Sequence, residues 1–404
     1  MGKVLLIANN FMPYEASLGS CIRAITLADF LTRHNYEVTL LSQKGKVETD
    51  LGYQDVLAKL DLHYVSPSDS TAIDFMLGNL QLFTCGVIIP ETRAKIYYQM
   101  FRAALDLIEK KGIVDVIITT PTHHAQLIGL YLKLRLKDKI NLIVDYRDSW
   151  FTNNFYRKKG LVSRFFAEHK EKTILNKCDY FTYISEPMLT QILSQYGLKN
   201  FEQKSRLIMN GYNKEVDLSS IEKNENGPIK IGYFGHLTDA KNSFRNIETL
   251  IAALKEKPEL QDEMEFYFYG DVRLNNTSLD GIKNIYIKST VPHDEALKLM
   301  ANMDYLLIIH SNPATSEEVI TGKFFEYVSV KVPVLNLTPP IMEANKLVKQ
   351  YGVGKIVDIT TSATVKKGLS NLTRMSGCYE DIDVTSFSRE HQYKIFLECL
   401  KSNN

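Results

Sequence analysis

Short apolar runs alternate with helix-periodic stretches along the whole chain, and the rhythm breaks once, at a polar stretch over residues 214–228, before it restarts. That alternation constrains the fold strongly. A strand followed by a helix and another strand returns parallel to the first, so repeated β–α units build a parallel sheet covered by helices on both faces. The apolar runs predict strands at residues 3–8, 37–41, 114–118, 141–144, 180–184 and 206–209, and after the break at 229–234, 265–269, 285–287, 305–309, 332–335 and 355–357. Residues 20–33 predict a helix with Ile22, Ile25, Leu27, Ala28 and Leu31 on its apolar face, and residues 386–401 a last helix. The interrupting stretch carries Asn, Ser, Gly and Pro and reads as an interdomain linker. With 404 residues, the chain is too long for one ordinary core. The expected organisation is α/β: two Rossmann-like, doubly wound domains over residues 1–215 and 216–384, with a helix in 385–404 returning toward the first. Such sheets take ligands in the crevice at their strands' carboxyl ends.

Composition excludes several classes. A net charge of +1 gives no support for non-specific nucleic-acid binding. Residues 1–215 hold 27 basic against 22 acidic side chains, leaving that half at +5 and the remainder at −4, which suggests two surfaces with different partners. The five cysteines, Cys21, Cys85, Cys178, Cys378 and Cys399, are scattered and show no CxxC spacing, which predicts free thiols in a reducing compartment and no metal cluster. No apolar segment approaches the ~20 residues of a membrane span. The N-terminus reads as a strand rather than a signal peptide, so a cytoplasmic location is expected.

The densest chemistry is Glu318-Val-Ile-Thr-Gly-Lys-Phe-Phe-Glu326, followed by Tyr327 and Lys331-Val-Pro333. Eight residues of helix rise about 12 Å, comparable to the separation of ribose and hexose in an extended nucleotide sugar. A carboxylate accepts two hydroxyl hydrogen bonds at once, so each glutamate suits a vicinal diol. Between them, Thr321, Gly322 and Lys323 fall where a helix should begin, and free N–H groups plus a lysine charge favour a diphosphate. An isolated pair of glutamates at this spacing would equally suit a solvated helix face.

Three loops join this segment. Gly235 and His236 end a predicted strand and lead to Lys241 and Arg245; small residues there admit a diphosphate, and lysine supplies the compensating charge. Gly19 and Ser20 precede the first predicted helix, where a serine is also a plain N-cap, and Arg23 lies on its first turn. Beyond the strand at 114–118 stand His123 and His124, which would equally suit a surface loop. Beyond the next strand come Arg147 and Asp148, which would equally suit a structural ion pair.

Together these segments resemble the retaining GT-B glycosyltransferases of glycosyltransferase family 4, whose E-x7-E motif matches Glu318 and Glu326. The resemblance implies that Glu326 holds the ribose of the donor and Glu318 contacts the donor sugar. Gly322 stands four residues after Glu318 where the family has three, and Glu317 would break the seven-residue spacing. The family's G-R-L-x-x-x-K loop places Lys241 in register and His236 at the arginine position, with Arg245 close enough to substitute. Residues 9–20 resemble the glycine loop that reaches the donor phosphates, and His124 or His123 the histidine near the donor sugar. Arg147 and Asp148 resemble the "RD-W" segment of related bacterial enzymes. Glu171 with Asp179, and Asn210 to Asn213, match in register. The likeness runs from the first loop to Pro340.

The same resemblance implies transfer from a nucleotide diphosphate sugar, UDP being the family prior, with retention and without cofactor or metal. Its catalytic residues would be His124, Glu318 and Lys241. The donor would be bound by Gly19, Ser20, Gly235, His236, Lys241, Arg245, Thr321, Gly322, Lys323 and Glu326, with Arg23, Arg147 and Asp148 on the acceptor side. The expected acceptor is a saccharide or lipid-linked saccharide, as in bacterial cell-envelope, capsule or O-antigen synthesis. Basic residues interleaved with aromatics (Arg93, Lys95, Tyr97, Tyr98, Phe101, Arg102, then Arg157 to Lys159, Arg164 to Phe166 and Lys170), with the apolar residues 75–90, suit an anionic membrane surface. A GT-B sugar-nucleotide epimerase and a non-catalytic sugar-nucleotide-binding subunit are the competing readings; His236 in place of arginine favours the latter.

Overall fold

The protein's structure, a computed structural model, describes residues 1–15, 18–49, 52–84, 93–121, 123–150, 161–213, 227–238, 243–274, 276–312 and 317–401. The chain divides into two compact units, Met1–Asn210 with Arg389–Asn404, and Gly211–Ser388. The boundaries therefore fall at 210/211 and 388/389 rather than at 215/216 and 384/385, and most of the polar stretch expected as a linker lies outside the described residues.

The first unit is a seven-stranded parallel sheet: β1 (Gly2–Ala8), β2 (Tyr36–Gln43), β3 (Asp61–Val65), β4 (Asp115–Thr119), β5 (Asn141–Asp145), β6 (Tyr180–Tyr183) and β7 (Ser205–Leu207). Their order is β3-β2-β1-β4-β5-β6-β7, doubly wound, with the reversal between β1 and β4. Strands β4 and β5 are buried on both faces, which is why they read as unbroken apolar runs. Strand β3 escaped the sequence reading because it lies at the edge: all five of its residues are only half-buried, and its Asp-Leu-His-Tyr-Val is too mixed to show a run. The first helix spans Leu18–Arg33, so Gly19 and Ser20 sit inside its opening turn rather than ahead of it. The last helix, Arg389–Cys399, belongs to this unit. Tyr393 bonds Thr26 at 2.9 Å, Arg33 pairs with Glu390 at 2.8 Å, and Asn141 donates to the Cys399 carbonyl at 2.7 Å.

The second unit holds β8 (Ile229–Phe234), β9 (Leu237–Thr238), β10 (Met264–Tyr269), β11 (Val272–Arg273), β12 (Ile285–Lys288), β13 (Tyr305–Ile309), β14 (Val334–Thr338) and β15 (Gly354–Asp358). Six of them form a parallel sheet in the order β12-β10-β8-β13-β14-β15, and β9 pairs with β11 in a short ribbon. The strand order reverses between β8 and β13, the switch point at which doubly wound sheets leave a crevice. Helix Gly322–Ser329 buries Phe324, Phe325, Tyr327 and Val328, with the two phenylalanines against Phe387 and the Tyr327 hydroxyl donating to the Leu307 carbonyl at 3.3 Å. Its apolar face is thereby committed to the core, and its first turn is held beside the carboxyl ends of the strands.

Candidate active site in the second unit

The loops after β8 and β13, the strands flanking the switch point, carry the site. Gly235 follows β8 directly, with φ +142, and its N–H donates to the Tyr269 carbonyl at 2.8 Å. A side chain at Gly235 would run into the Lys323 amine, and one at Gly270 (φ +126) into the Gly235 carbonyl. Glycine is needed at both because two backbone segments and a lysine tip share one small space. Gly235→Ala is therefore expected to displace the Lys323 amine and to lower nucleoside diphosphate affinity by about tenfold, and also to lower the unfolding midpoint, because alanine is strained at that φ. Calorimetric titration measures the first and a denaturant melt the second, and undiminished affinity would show that the amine does not depend on that space.

Lys323 lies on the first turn of helix Gly322–Ser329. Its stem is partly exposed, but its amine is packed against Gly235 and lies 5.4 Å from the Tyr233 ring centroid. It makes no hydrogen bond or ion pair among the described residues. Burial, reinforced by the Arg245 charge and opposed by Glu326, pushes its pKa down to about 8. Arg245 is carried by a loop tied to the segments that follow both switch-point strands: its carbonyl accepts from Thr238 N–H at 3.3 Å, and Ser311 N–H donates to the Phe244 carbonyl at 2.8 Å. The guanidinium lies 5.2 Å from the Phe244 ring and has no carboxylate partner among the described residues.

His310, immediately after β13, completes the cluster. It is 4% exposed, its ring stacks on Phe244 at 5.4 Å, and its Nδ1 has no hydrogen-bond partner. Burial, with Arg245 adding to it, lowers its pKa to about 4, so the ring is neutral at physiological pH. Thr321, the N-cap, does not use its side chain to cap the helix, and its buried Oγ1 is likewise unpartnered. Two cations without an acidic partner among the described residues, two orphaned polar atoms and a helix N-terminus converge here, an arrangement whose electrostatics favour an anion. His310 was missed in the sequence because one histidine at a strand end carries no spacing signal.

Other expectations change. Glu318 is 7% exposed and lies in a turn, while the helix starts only at Gly322, so the two glutamates are not separated by eight residues of continuous helix. His236 is half-buried and its Nδ1 pairs with Asp271 at 3.0 Å, an acid also held by Arg273 at 2.9 Å. A carboxylate beside His236 offsets any positive charge it would bring to a phosphate. Lys241 lies outside the described residues. Gly322 is exposed with open space where a Cβ would stand.

In the first unit Arg23 does not present a free cation. At 2% exposed, it grips Asp145 through Nε at 2.9 Å and Nη2 at 2.8 Å, and donates to the carbonyls of Ile208 and Met209. Arg147 is held by the Gly19 carbonyl and, at 3.4 Å, by Asp148, whose side chain is 57% exposed. His123 is buried, its Nε2 donating to the Asp148 carbonyl at 2.5 Å and its ring stacked on Trp150 at 5.8 Å; burial lowers its pKa. His124 opens a 3-10 turn with His123, and its side chain lies outside the described residues. Of the residues expected at a membrane, Tyr97, Phe101 and Lys170 are buried, and Arg157, Lys158 and Lys159 lie outside the described residues. Among the described residues no helix is long and apolar enough to cross a membrane, and no group of three or more metal-ligating side chains is found.

No family model and no curated protein sequence matches the chain. Solved structures do match it over nearly its full length. The N-terminal domain of Candida albicans trehalose-6-phosphate phosphatase superposes with a TM-score of 0.64 at 13% identity, covering 100% of this chain and 97% of that one. The E. coli trehalose-6-phosphate protein bound with UDP-2-fluoro glucose gives 0.62 at 11% identity, covering 98% of each chain. A putative UDP-N-acetylglucosamine 2-epimerase from Listeria monocytogenes gives 0.53 at 13% identity, covering 99% and 96%. The shared architecture, two Rossmann-like units in one chain, is the GT-B fold.

Proposed function

We propose that this chain is a GT-B glycosyltransferase whose second unit holds the nucleoside diphosphate of a sugar donor. The observation that carries the reading is the pair Lys323 and Arg245, two cations without acidic partners among the described residues, beside the buried, unpartnered His310 Nδ1 at the switch point. Burying the Lys323 amine as a cation costs stability unless an anion joins it, and a diphosphate supplies that anion. Neighbours of the same fold bind UDP-2-fluoro glucose or are named for UDP-N-acetylglucosamine, which supports a nucleotide sugar, with UDP the first choice.

In this reading Lys323, Arg245 and the amides opening helix Gly322–Ser329 stabilise charge on the diphosphate as it leaves, the point at which preorganised donors lower the barrier most. Glu326 takes the ribose hydroxyls and Glu318 the donor sugar. Lys241 is assigned to add charge to the leaving group, and His124 to assist the reacting centre. The leaving phosphate accepts the acceptor's proton on the face from which it departs, so configuration is retained without a metal. A saccharide or lipid-linked saccharide is the acceptor class, with Arg147 and Asp148 on its side; Arg23, enclosed with Asp145, acts there only by holding the scaffold.

Titration calorimetry with UDP, GDP and ADP tests the site. One of the three is expected to bind, and Glu326→Ala to weaken it by about tenfold or more. Failure of all three to bind would overturn the proposal. NMR of the corresponding donor sugar, incubated without acceptor, separates the activities: epimerisation in the absence of acceptor would replace the transferase with an epimerase.

A further inference from the structure

Helix Ala72–Thr84 of the first unit reverses the usual polarity of a surface helix. Its exposed positions, among the described side chains, are Ala72, Ile73, Phe75, Met76, Leu80 and Phe83, all apolar. Ile73, Met76, Leu80 and Phe83 are 63%, 61%, 58% and 62% exposed, and they recur at three- and four-residue intervals, which places them in one stripe. Of the thirteen large hydrophobic side chains exposed among the described residues, five stand on this helix, so the surface is a patch and not scatter. The helix's one charged residue is turned inward: the Asp74 carboxylate accepts from Thr71 N–H at 2.8 Å, Thr71 Oγ1 at 2.9 Å and Gln99 at 3.1 Å.

The opposite face anchors the helix. Gly78 lets the Ala94 carbonyl approach where any side chain would collide, and Tyr131 donates to the Gly78 carbonyl at 2.9 Å. That contact lays the helix along the first half of helix Ala94–Lys111, whose exposed charged residues there are Lys95 and Arg102, with Arg93 just ahead of it. Among the described residues, the exposed acid near the helix start that stands against these three cations is Asp69. An apolar stripe edged with positive charge fits an anionic amphiphile. A second copy docked by the same face would bring its own cations against these.

We propose that this face docks on an anionic lipid bilayer, with Ile73, Met76, Leu80 and Phe83 set among the acyl chains and Arg93, Lys95 and Arg102 against the headgroups. Thirteen residues of helix rise about 20 Å, too short to span the hydrocarbon, so the helix lies in the interface plane. Docking by this face does not depend on the nucleotide site.

Co-sedimentation of the full chain with vesicles of phosphatidylcholine, alone or with phosphatidylglycerol, tests it. The wild-type protein is expected to bind the phosphatidylglycerol vesicles at low salt and to lose affinity as salt rises. The triple variant Met76→Gln, Leu80→Gln, Phe83→Gln is expected to lose about tenfold or more on those vesicles. Lys95→Glu with Arg102→Glu is expected to lose a similar factor there and little on phosphatidylcholine alone. Nucleoside diphosphate affinity, measured alongside as a fold control, is expected to be unchanged in both. The proposal falls if the wild type ignores phosphatidylglycerol vesicles at low salt, or if the triple variant binds them equally. It falls too if ultracentrifugation shows a dimer that the triple variant abolishes, since a second copy would then cover the face.

Discussion

Lys323→Met is expected to lower turnover by roughly 10²–10³-fold and, in the same protein, to raise the thermal midpoint of unfolding by several degrees. The two effects share a cause. Burial first, then the Arg245 charge, hold the amine's pKa at about 8 against an ordinary 10.5, with Glu326 only partly offsetting them. At about 1.4 kcal/mol per tenfold, that displacement costs the ligand-free protein on the order of 3 kcal/mol at neutral pH. A group whose folded pKa is depressed in this direction binds fewer protons folded than unfolded between about pH 8 and 10.5, so ligand-free stability rises across that window. Methionine fills the same space without charge and removes the penalty. A diphosphate reverses the electrostatics by favouring the charged amine, so nucleotide affinity is expected to be highest below about pH 8 and to fall above it. His310, with its pKa near 4, stays neutral across this range, so the transition belongs to Lys323. A calorimetric scan with and without UDP at pH 7 and pH 9.5 measures both effects. A methionine variant that melts earlier than wild type, or turns over normally, would show that Lys323 is structural.

The second large effect lies in the first unit. Asp145→Asn is expected to destabilise it by about 3–5 kcal/mol, visible as a lower denaturant midpoint. Asp145 is completely buried. Burial alone would raise its pKa, but the charge and hydrogen bonds of Arg23, with those of Thr119 at 2.6 Å and Thr182 at 2.5 Å, overcome that and hold it below its usual value. Removing the charge leaves the Arg23 guanidinium in the core without a counter-ion, with neutral acceptors only, among them the carbonyls of Ile208 and Met209. Because the folded pKa is depressed, this stabilisation is full above about pH 4 and is lost as pH falls through the folded pKa. The double variant Arg23→Met with Asp145→Leu is expected to recover part of the loss, since no unpaired charge remains. Equal melting of Asp145→Asn and wild type would deny the pair this role.

Much of the architecture was readable because doubly wound sheets bury their central strands on both faces, and burial leaves unbroken apolar runs. β8 and β13 appear in the sequence with their full lengths, while edge strand β3, half-exposed, does not. Local chemistry was readable in the same way: Gly235, Lys323 and Glu326 declare themselves by residue type and spacing around a strand end and a helix start. Pairings across long separations were not. Arg23 and Asp145 lie 122 residues apart, and each alone looks like a polar residue near a ligand loop. Likewise the sequence marked residues 75–90 as apolar, but only the packing of helix Ala72–Thr84 against helix Ala94–Lys111 decided which of that helix's side chains stand outward.

Sequence by itself determined where the buried strands form, that strands and helices alternate into two parallel sheets, and that a glycine, a lysine and a glutamate stand at a strand end and a helix start. These come from backbone preference and hydrophobic periodicity, which act over a few residues. Tertiary structure alone decided which charges are neutralised and which are left waiting. It enclosed Arg23 with a carboxylate, set Lys323 and Arg245 together with no carboxylate partner among the described residues, and left His310 Nδ1 unpartnered, because a charge's partner is chosen by the packing of whole strands rather than by its neighbours in the chain.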